Sequence, residues 1–423
     1  MIIKFKLSGY KSFKTETILL FTQVKGEKNS RNLTGTEAMP LLSMNALFGK
    51  NSAGKSNFLS GMKFFYDLVA KSDNYTGSLS KEIIEPHTHW GNSSMPIELE
   101  LTFLLDGVKH QYGFVLSPDA DILEEWLYIY PNKRAQMLFT RNSHEFNFGR
   151  SLKGSPSSVL RKDDMQYKAL FLGHASRYVP QLKTIHAYIK KLFCFVDEDN
   201  KREAIRGLLH NETLRQALTC FLYASDFELS NVEIQDITPH YPKGVGAAQT
   251  DLNLKLVKST ELAFRDSVHN KLILWSDLPI GAKEAIATFC LLHQEFNRQN
   301  PRFIVIDNYG EGLHPAVCDA ILDLVHDSEF NITGSQVLLA TQQVNVMNWL
   351  DRGQVWFVEF IRPDISANEK RRSILTPLSD YEKRKGEWLS MGYLVGRYGA
   401  VPYIMTYDMA HSANIHSNAV EQP

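Results

Sequence analysis

The stretch Gly49-Lys50-Asn51-Ser52-Ala53-Gly54-Lys55-Ser56 fits the pattern G-x-x-x-x-G-K-S at every position. No other feature constrains the chain as much. A polyphosphate is held by inward-pointing backbone N–H groups, and small residues let the loop close around it. The helix that must follow adds the positive end of its dipole. Lys55 is expected on the β- and γ-phosphates and the Ser56 hydroxyl on Mg²⁺. Asn51, Ser52, Ala53 and Asn57 complete the candidate cradle. The flanks agree: Ala46-Leu47-Phe48 reads as a short apolar strand and Asn57 to Val69 as an amphipathic helix.

The later part of the chain supplies partners for that strand. Phe303 to Asp307 is an apolar strand ending in a carboxylate, and Gln336 to Ala340 and Val355 to Phe360 are two more. Helices fit between them at Pro315 to Asp327 and Asn345 to Leu350. Strands alternating with helices argue for a parallel sheet, whose ligand lies at the carboxyl ends of its strands. Asp307 and the phosphate loop would meet there, with Asp307 and Ser56 as the candidate Mg²⁺ residues. Leu278-Pro279-Ile280-Gly281 precedes a further helix, Ala282 to Phe296.

The first third of the chain reads differently. Ile2 to Leu7 and Thr17 to Phe21 are strands, and Lys25 to Pro40 is a polar, exposed loop. Ile97 to Phe103 alternates, Asp106-Gly107 is a hairpin signal, and Gln111 to Leu116, Ile122 to Tyr130 and Ala135 to Phe139 continue an antiparallel meander. From about Ser151 helical periodicity takes over, at Tyr167 to Leu172, Pro180 to Phe193 and Glu203 to Tyr223. No sustained heptads support a long coiled-coil arm. Leu252 to Arg265 and Lys271 to Trp275 return to strand-like alternation. The expected fold is α/β: a nucleotide-binding head formed by 1–150, with the antiparallel β layer, and 253–405. An inserted, mainly helical lobe spans 151–252 and a polar tail 406–423.

Several function classes lose support. A formal net charge of −1 over 423 residues does not indicate a strongly basic nucleic-acid binder. Short basic clusters at Asn368 to Arg372 and Tyr381 to Lys385 leave DNA contact open. No apolar run has the length of a membrane span and no signal peptide opens the chain. Four widely spaced cysteines without a C-x-x-C pair fit reduced thiols in the cytoplasm. His87-Thr88-His89 lacks third and fourth metal ligands nearby. Asp197-Glu198-Asp199 has the D-x-D form of a two-metal nuclease, but a polar loop at a helix end accounts for it more simply.

The neighbourhood of Asp307, Ile306-Asp-Asn-Tyr-Gly-Glu-Gly-Leu-His-Pro315, resembles the Walker B and D-loop stretch of ABC/SMC-like ATPases of bacterial anti-phage systems. These are relatives of the ATPase part of overcoming-lysogenization-defect nucleases. Phe5 to Phe13 and Tyr393 to Pro402 resemble the opening and closing segments of the same family. The resemblance covers Met1 to about Gly149 and Asn253 to about Ile404. It implies an ABC-type ATPase head that binds ATP and Mg²⁺ through Gly49, Gly54, Lys55, Ser56 and Asp307. Gly281 would sit where a signature glycine caps the γ-phosphate of the opposite protomer, so the heads would pair at least as homodimers and assemble into higher oligomers. Within that family the chain resembles the PtuA-type subunit of Septu and retron-associated systems. Its partners are an HNH nuclease of the PtuB type and, in retrons, a reverse transcriptase with its msDNA. The ATPase of PARIS systems, with a Toprim-type nuclease, is the near alternative.

Three departures from that family bear on hydrolysis. Asn308 stands where a glutamate activates the attacking water, Pro279 where the signature carries a serine, and Gln342 where a histidine touches the γ-phosphate. An amide orients water but has no lone pair basic enough to take its proton. Glu311 is a candidate substitute base, although on the family pattern it lies too far along the loop. The expected function is therefore an ATP-binding scaffold that regulates a separate nuclease, with hydrolysis slow or lost. The alternatives are an active SMC-like ATPase acting on DNA and a PARIS-type sensor.

Overall fold

The computed structural model describes residues 1–24, 33–36, 39–72, 85–86, 95–143, 145–153, 169–237, 259–361, 372–382 and 388–402. Two sheets and the helices around them make the frame.

The first sheet is antiparallel. It is built from β1 (Ile2–Ser8), β2 (Thr17–Leu20), β6 (Ile97–Leu105), β7 (Val108–Leu116), β8 (Ile122–Tyr130), β9 (Gln136–Asn142) and β10 (Glu145–Phe148), in the order β10-β9-β8-β7-β6-β1-β2. The hairpin signal between β6 and β7 holds: Asp106 and Gly107 take φ of 49° and 73°, the left-handed pair that a two-residue turn requires.

The second sheet joins β11 (Phe193–Phe195), β15 (Phe303–Tyr309), β16 (Gln336–Thr341), β5 (Met44–Phe48), β17 (Val355–Ile361) and β18 (Arg372–Pro377) in that order. The first five run parallel and β18 is antiparallel to β17. Its strands are nearly continuous apolar runs because both faces are covered. Leu47, Val305, Leu338 and Val358 join one core with α1 (Lys55–Lys71) and the antiparallel sheet. Ala46, Ile304, Leu339 and Phe357 join the other, with α6 (Ile280–Phe296) and α7 (Pro315–His326). Within the first core Phe5 meets Phe58 and Phe65 edge-on at 5.9 Å, and Phe65 stacks on Phe114 at 5.5 Å.

Gln336 ties the sheets together. Its side chain accepts from Ile2 N (2.6 Å) and donates to the Ile2 and Leu42 carbonyls (3.0 Å each). A second buried device holds α2 (Phe171–Ala175) to the antiparallel sheet. Glu125, fully buried, accepts from Phe171 N (2.7 Å), Leu172 N (3.0 Å) and the Tyr112 hydroxyl (2.9 Å), with Arg141 at 3.8 Å.

The structure departs from the sequence reading in three places. The stretch read as an exposed loop at Lys25 to Pro40 contains β3 (Leu33–Thr36), paired with β4 (Met39–Leu42). Leu41 and Leu42 are buried, and Leu42 N donates to Phe21 O at 2.7 Å, which ties the hairpin to the residue that follows β2. The stretch read as a helical lobe does carry α3 (Pro180–Leu192), α4 (Glu198–Arg206) and α5 (Glu212–Ala224). It also supplies β11, the edge strand beside β15, and β12 (Leu229–Ile237), which pairs with β13 (Ser259–Asp266), itself paired with β14 (Leu272–Leu274). Leu182, Ile185 and Ile189 of α3 lie in the same core as α1. Val344–Trp349 forms 3-10 turns in place of the expected α-helix. The last helix, α8, is Leu389–Leu394. His87, His89, the basic residues at 368–371 and the tail 406–423 fall outside the described residues. No described helix is long and apolar enough to cross a membrane.

Candidate nucleotide site

Every residue of β5 is buried, and the chain leaves it through a turn that only glycine fits. A Cβ on Gly49 would lie 2.3 Å from Val358 O, and one on Gly54, at φ 116°, would lie 2.4 Å from Ser373 Oγ. Gly54 is the N-cap of α1 and no side chain caps that helix, so its first-turn N–H groups remain for an anion. Lys55 is 7 % exposed and folds back so that its ammonium donates to the carbonyls of Gly49 (2.6 Å) and Lys50 (3.2 Å). Burial lowers its pKa, and the negative charge of Asp307 acts in the opposite direction. Ser56 is exposed beside it.

Asp307 and Asn308 sit in a bulge. Pairing between β15 and β16 jumps from Ile306–Leu339 to Tyr309–Thr341, so two residues oppose Ala340 alone. Asn308 takes φ 54°, a left-handed conformation that asparagine tolerates better than most residues, and its N–H donates to Asp307 Oδ1 at 3.0 Å. Ile306 and Tyr309 on either side are buried, while Asp307 and Asn308 are exposed. The bulge thus turns both polar side chains out of the sheet edge. Tyr309 anchors it by donating to Cys318 O at 2.7 Å.

The sheet order brings these parts together. β16 lies between β15 and β5, so Gln342, just past its end, stands between Asp307 and the phosphate loop. Gln342 donates to Asn51 Oδ1. Gln343 donates its side chain to Gly310 O at 2.9 Å and its backbone N–H to Thr341 Oγ1 at 2.9 Å. A cleft of about 560 Å³ opens at this edge, lined among others by Asn51, Ser52, Asn308, Glu311 and Gln342. Glu311 therefore reaches the cleft wall, with its N–H on Asn308 O at 3.2 Å.

Gly281 is not part of that cleft. It lines a separate, mainly apolar cavity of about 410 Å³ with Leu229, Ile273, Leu278 and Leu313. It packs so closely on the loop after Asp307 that a Cβ would lie 2.7 Å from Gly312 O. Pro279 is the N-cap of α6 and offers no capping side chain.

Four residues that hold the phosphate loop carry no local signal. Ser373 Oγ donates to Ala53 O at 2.6 Å, Asn57 donates to Ser12 Oγ at 2.9 Å, and Lys50 N donates to Ala400 O at 2.9 Å. Ala400 N in turn donates to Glu359. Ser12 and Ala400 lie in Phe5 to Phe13 and Tyr393 to Pro402, the segments that resemble the family's opening and closing stretches; Ser373 and Glu359 had no pointer. Asp197 and Asp199 have simpler roles. Asp197 caps α4 by accepting from Asn200 N at 2.8 Å, and Asp199 pairs with Arg202 at 3.3 Å on the surface. Among the described residues no group of three His, Cys, Asp or Glu is placed to hold a metal.

A glycine-gated loop at a helix N-terminus, a lysine folded into it and an aspartate two strands away define a P-loop nucleotide site in an α/β protein. The groups present fit Mg·ATP: Gly49 to Ser56 for the phosphates, Ser56 and Asp307 for the ion. Residues 44–152 match the family described as "AAA domain, putative AbiEii toxin, Type IV TA system". That span holds the phosphate loop, α1 and β6 to β10, and leaves out Asp307. Solved structures similar to the chain include the SMC head domain from Thermotoga maritima, at 14% identity over 89% of this chain and 98% of that one, with a TM-score of 0.44. An SmcHead bound to the C-winged helix domain of ScpA gives 14% identity over 90% and 98%, with a TM-score of 0.42. An Smc head domain with an extended coiled coil, bound to the C-terminal domain of ScpA derived from Pyrococcus furiosus, gives 13% over 94% and 99%, with a TM-score of 0.40. No curated protein matches the chain.

Proposed function

We propose that the chain is an ABC-type ATP-binding subunit of an anti-phage defence complex. In this reading it keeps Mg·ATP as an organising ligand and turns it over slowly or not at all. Paired heads then form the platform on which a separate effector nuclease, of HNH or Toprim type, is held in check.

The observation that carries slow turnover is residue 308. Beside Asp307, where a carboxylate would take the proton of the attacking water, the bulge presents an amide. Loss of general-base help slows such a step by about 10²–10⁴. Gln342 adds to this, because its side chain engages Asn51 of the phosphate loop where the family offers an imidazole. The binding groups are kept. When bound, Mg²⁺ would neutralise phosphate charge; Lys55 and the α1 N-terminus would hold the phosphates, and Ser56 and Asp307 the ion. The in-trans role of Gly281 is supported by its place outside the cleft of its own chain. The defence setting is supported by the resemblance of 306–315 and by the toxin–antitoxin description of the family matched over 44–152.

The test is to measure bound nucleotide and released phosphate together in the purified protein. Co-purifying or tightly retained ATP with little phosphate supports the reading. Turnover at ordinary ATPase rates that is lost in Asn308→Ala refutes it. A second reading has one observation in its favour: Glu311 lines the cleft and is exposed. If Glu311 is the base, Glu311→Gln abolishes whatever slow release the wild type shows.

A further inference from the structure

We propose that Glu359 is a positioning residue for nucleotide binding, acting on the phosphate loop through Ala400 without touching the nucleotide. The inference rests on the reading of Gly49 to Ser56 as an ATP site.

Glu359 lies on β17, beside the strand that feeds the loop: Phe357 of β17 pairs with Phe48, the last residue of β5. Its carboxylate accepts from Ala400 N. The approach is possible because residue 399 is glycine; a Cβ there would lie 2.0 Å from Glu359 Oε1. The Ala400 carbonyl accepts from Lys50 N at 2.9 Å and from the Tyr393 hydroxyl at 3.1 Å. The Lys50 carbonyl accepts from Lys55 Nζ at 3.2 Å. A continuous chain of hydrogen bonds therefore runs from Glu359 through Ala400 and Lys50 to the phosphate-binding ammonium.

The backbone of Ala400 gives the chain its purpose. Ala400 is buried at φ 57°, a conformation that alanine adopts at a cost because its Cβ crowds the following carbonyl. Such a conformation persists only where its surroundings hold it. Glu359 supplies a charged acceptor for the Ala400 N–H, a stronger tether than a neutral one. With that tether cut, Ala400 relaxes toward negative φ and its carbonyl turns away from Lys50. The opposite flank of the loop is held independently by Ser373, which pairs with Phe360 next to Glu359 and donates to Ala53 O. The end of the β17–β18 ladder thus grips the phosphate loop on both sides.

The experiment is a titration of the full chain with a fluorescent Mg·ATP analogue, alongside the melting temperature of the nucleotide-free protein. Glu359→Ala is expected to bind about tenfold more weakly, the equivalent of one charged hydrogen bond. Glu359→Gln, whose amide oxygen still accepts but carries no charge, is expected to lose about threefold, between the wild type and Glu359→Ala. Ala400→Gly in the Glu359→Ala background recovers most of the loss, because glycine takes positive φ without the alanine penalty. A structural role alone would not be rescued by removing a methyl group at residue 400. Wild-type affinity in Glu359→Ala, or no rescue by Ala400→Gly, overturns the proposal. Should Glu359→Ala fail to fold, Glu359→Asp carries the test: it keeps the charge and withdraws the oxygen by one methylene, and unchanged affinity in it overturns the proposal. Absence of binding by the wild type instead overturns the nucleotide reading itself.

Discussion

Replacing Asn308 by glutamate tests the chemistry of the cleft most directly. The substitution restores a carboxylate next to Asp307, and general-base help is worth about 10²–10⁴ in rate. The backbone acts against it. Residue 308 is at φ 54°, where asparagine is tolerated and glutamate pays roughly 1–2 kcal/mol more. If all of that strain opposed the reactive geometry, it would remove about fivefold to thirtyfold of the gain, at about 1.4 kcal/mol per tenfold. A net acceleration of at least several-fold, and up to about 10³, remains. The assay is single-turnover phosphate release from pre-bound Mg·ATP, with affinity measured on the same preparation. Asn308→Gly is the control, since it relaxes the backbone and adds no base. The reasoning fails if Asn308→Glu binds ATP as the wild type does and releases phosphate no faster, or if Asn308→Gly accelerates release as much.

Three further outcomes follow from the same structure. Lys55→Ala, which removes the ammonium on the Gly49 and Lys50 carbonyls, should weaken Mg·ATP binding by at least about 10² and, on the proposed function, abolish ATP-dependent assembly; light scattering with and without ATP checks this. Thiol labelling of the native protein at pH 8 should modify Cys220 alone, because Cys194, Cys290 and Cys318 are buried and burial raises their pKa, to about 12 for Cys194 and about 11 for Cys318. Rapid labelling of a second cysteine in intact protein contradicts that packing. Glu125→Ala leaves Arg141 and two helix N–H groups buried without their carboxylate and should cost roughly 3–5 kcal/mol in urea denaturation, whereas a loss under 1 kcal/mol would show that the cluster is dispensable.

What was legible in the sequence follows the range of the forces involved. The phosphate loop could be read because its geometry is set by eight adjacent residues, two of them glycines that a Cβ would drive into Val358 and Ser373. The strand ending in Asp307 and the meander from Ile97 could be read from apolar runs and alternation. The position of Asn308 was visible, but its left-handed bulge was not, because it arises from pairing with β16. β11 was hidden because the helical pattern of Pro180–Leu192 runs on into Phe193, and three residues become a strand only when β15 is beside them. The β3–β4 hairpin was hidden by its short, Gly- and Thr-containing first strand, while Phe21, just past β2, fixes it through Leu42. Lys50, Glu359 and Ala400 meet from opposite ends of the chain, and no window of sequence contains them together.

The place of β5 between β16 and β17 has a consequence for how the protein is made. The phosphate loop leaves the ribosome early, whereas its flanking strands Gln336–Thr341 and Val355–Ile361 are synthesised much later. Until then β5 has a bare edge on each side, with backbone groups and apolar residues that water or a chaperone must cover. The segment 44–152, although it carries the family match, also lacks β1, the partner of β6. It is therefore not an autonomous folding unit. Nascent chains stalled before residue 336 carry the whole phosphate-binding motif and neither of the strands that flank β5. The shaped phosphate loop thus depends on strands that are synthesised roughly three hundred residues after it.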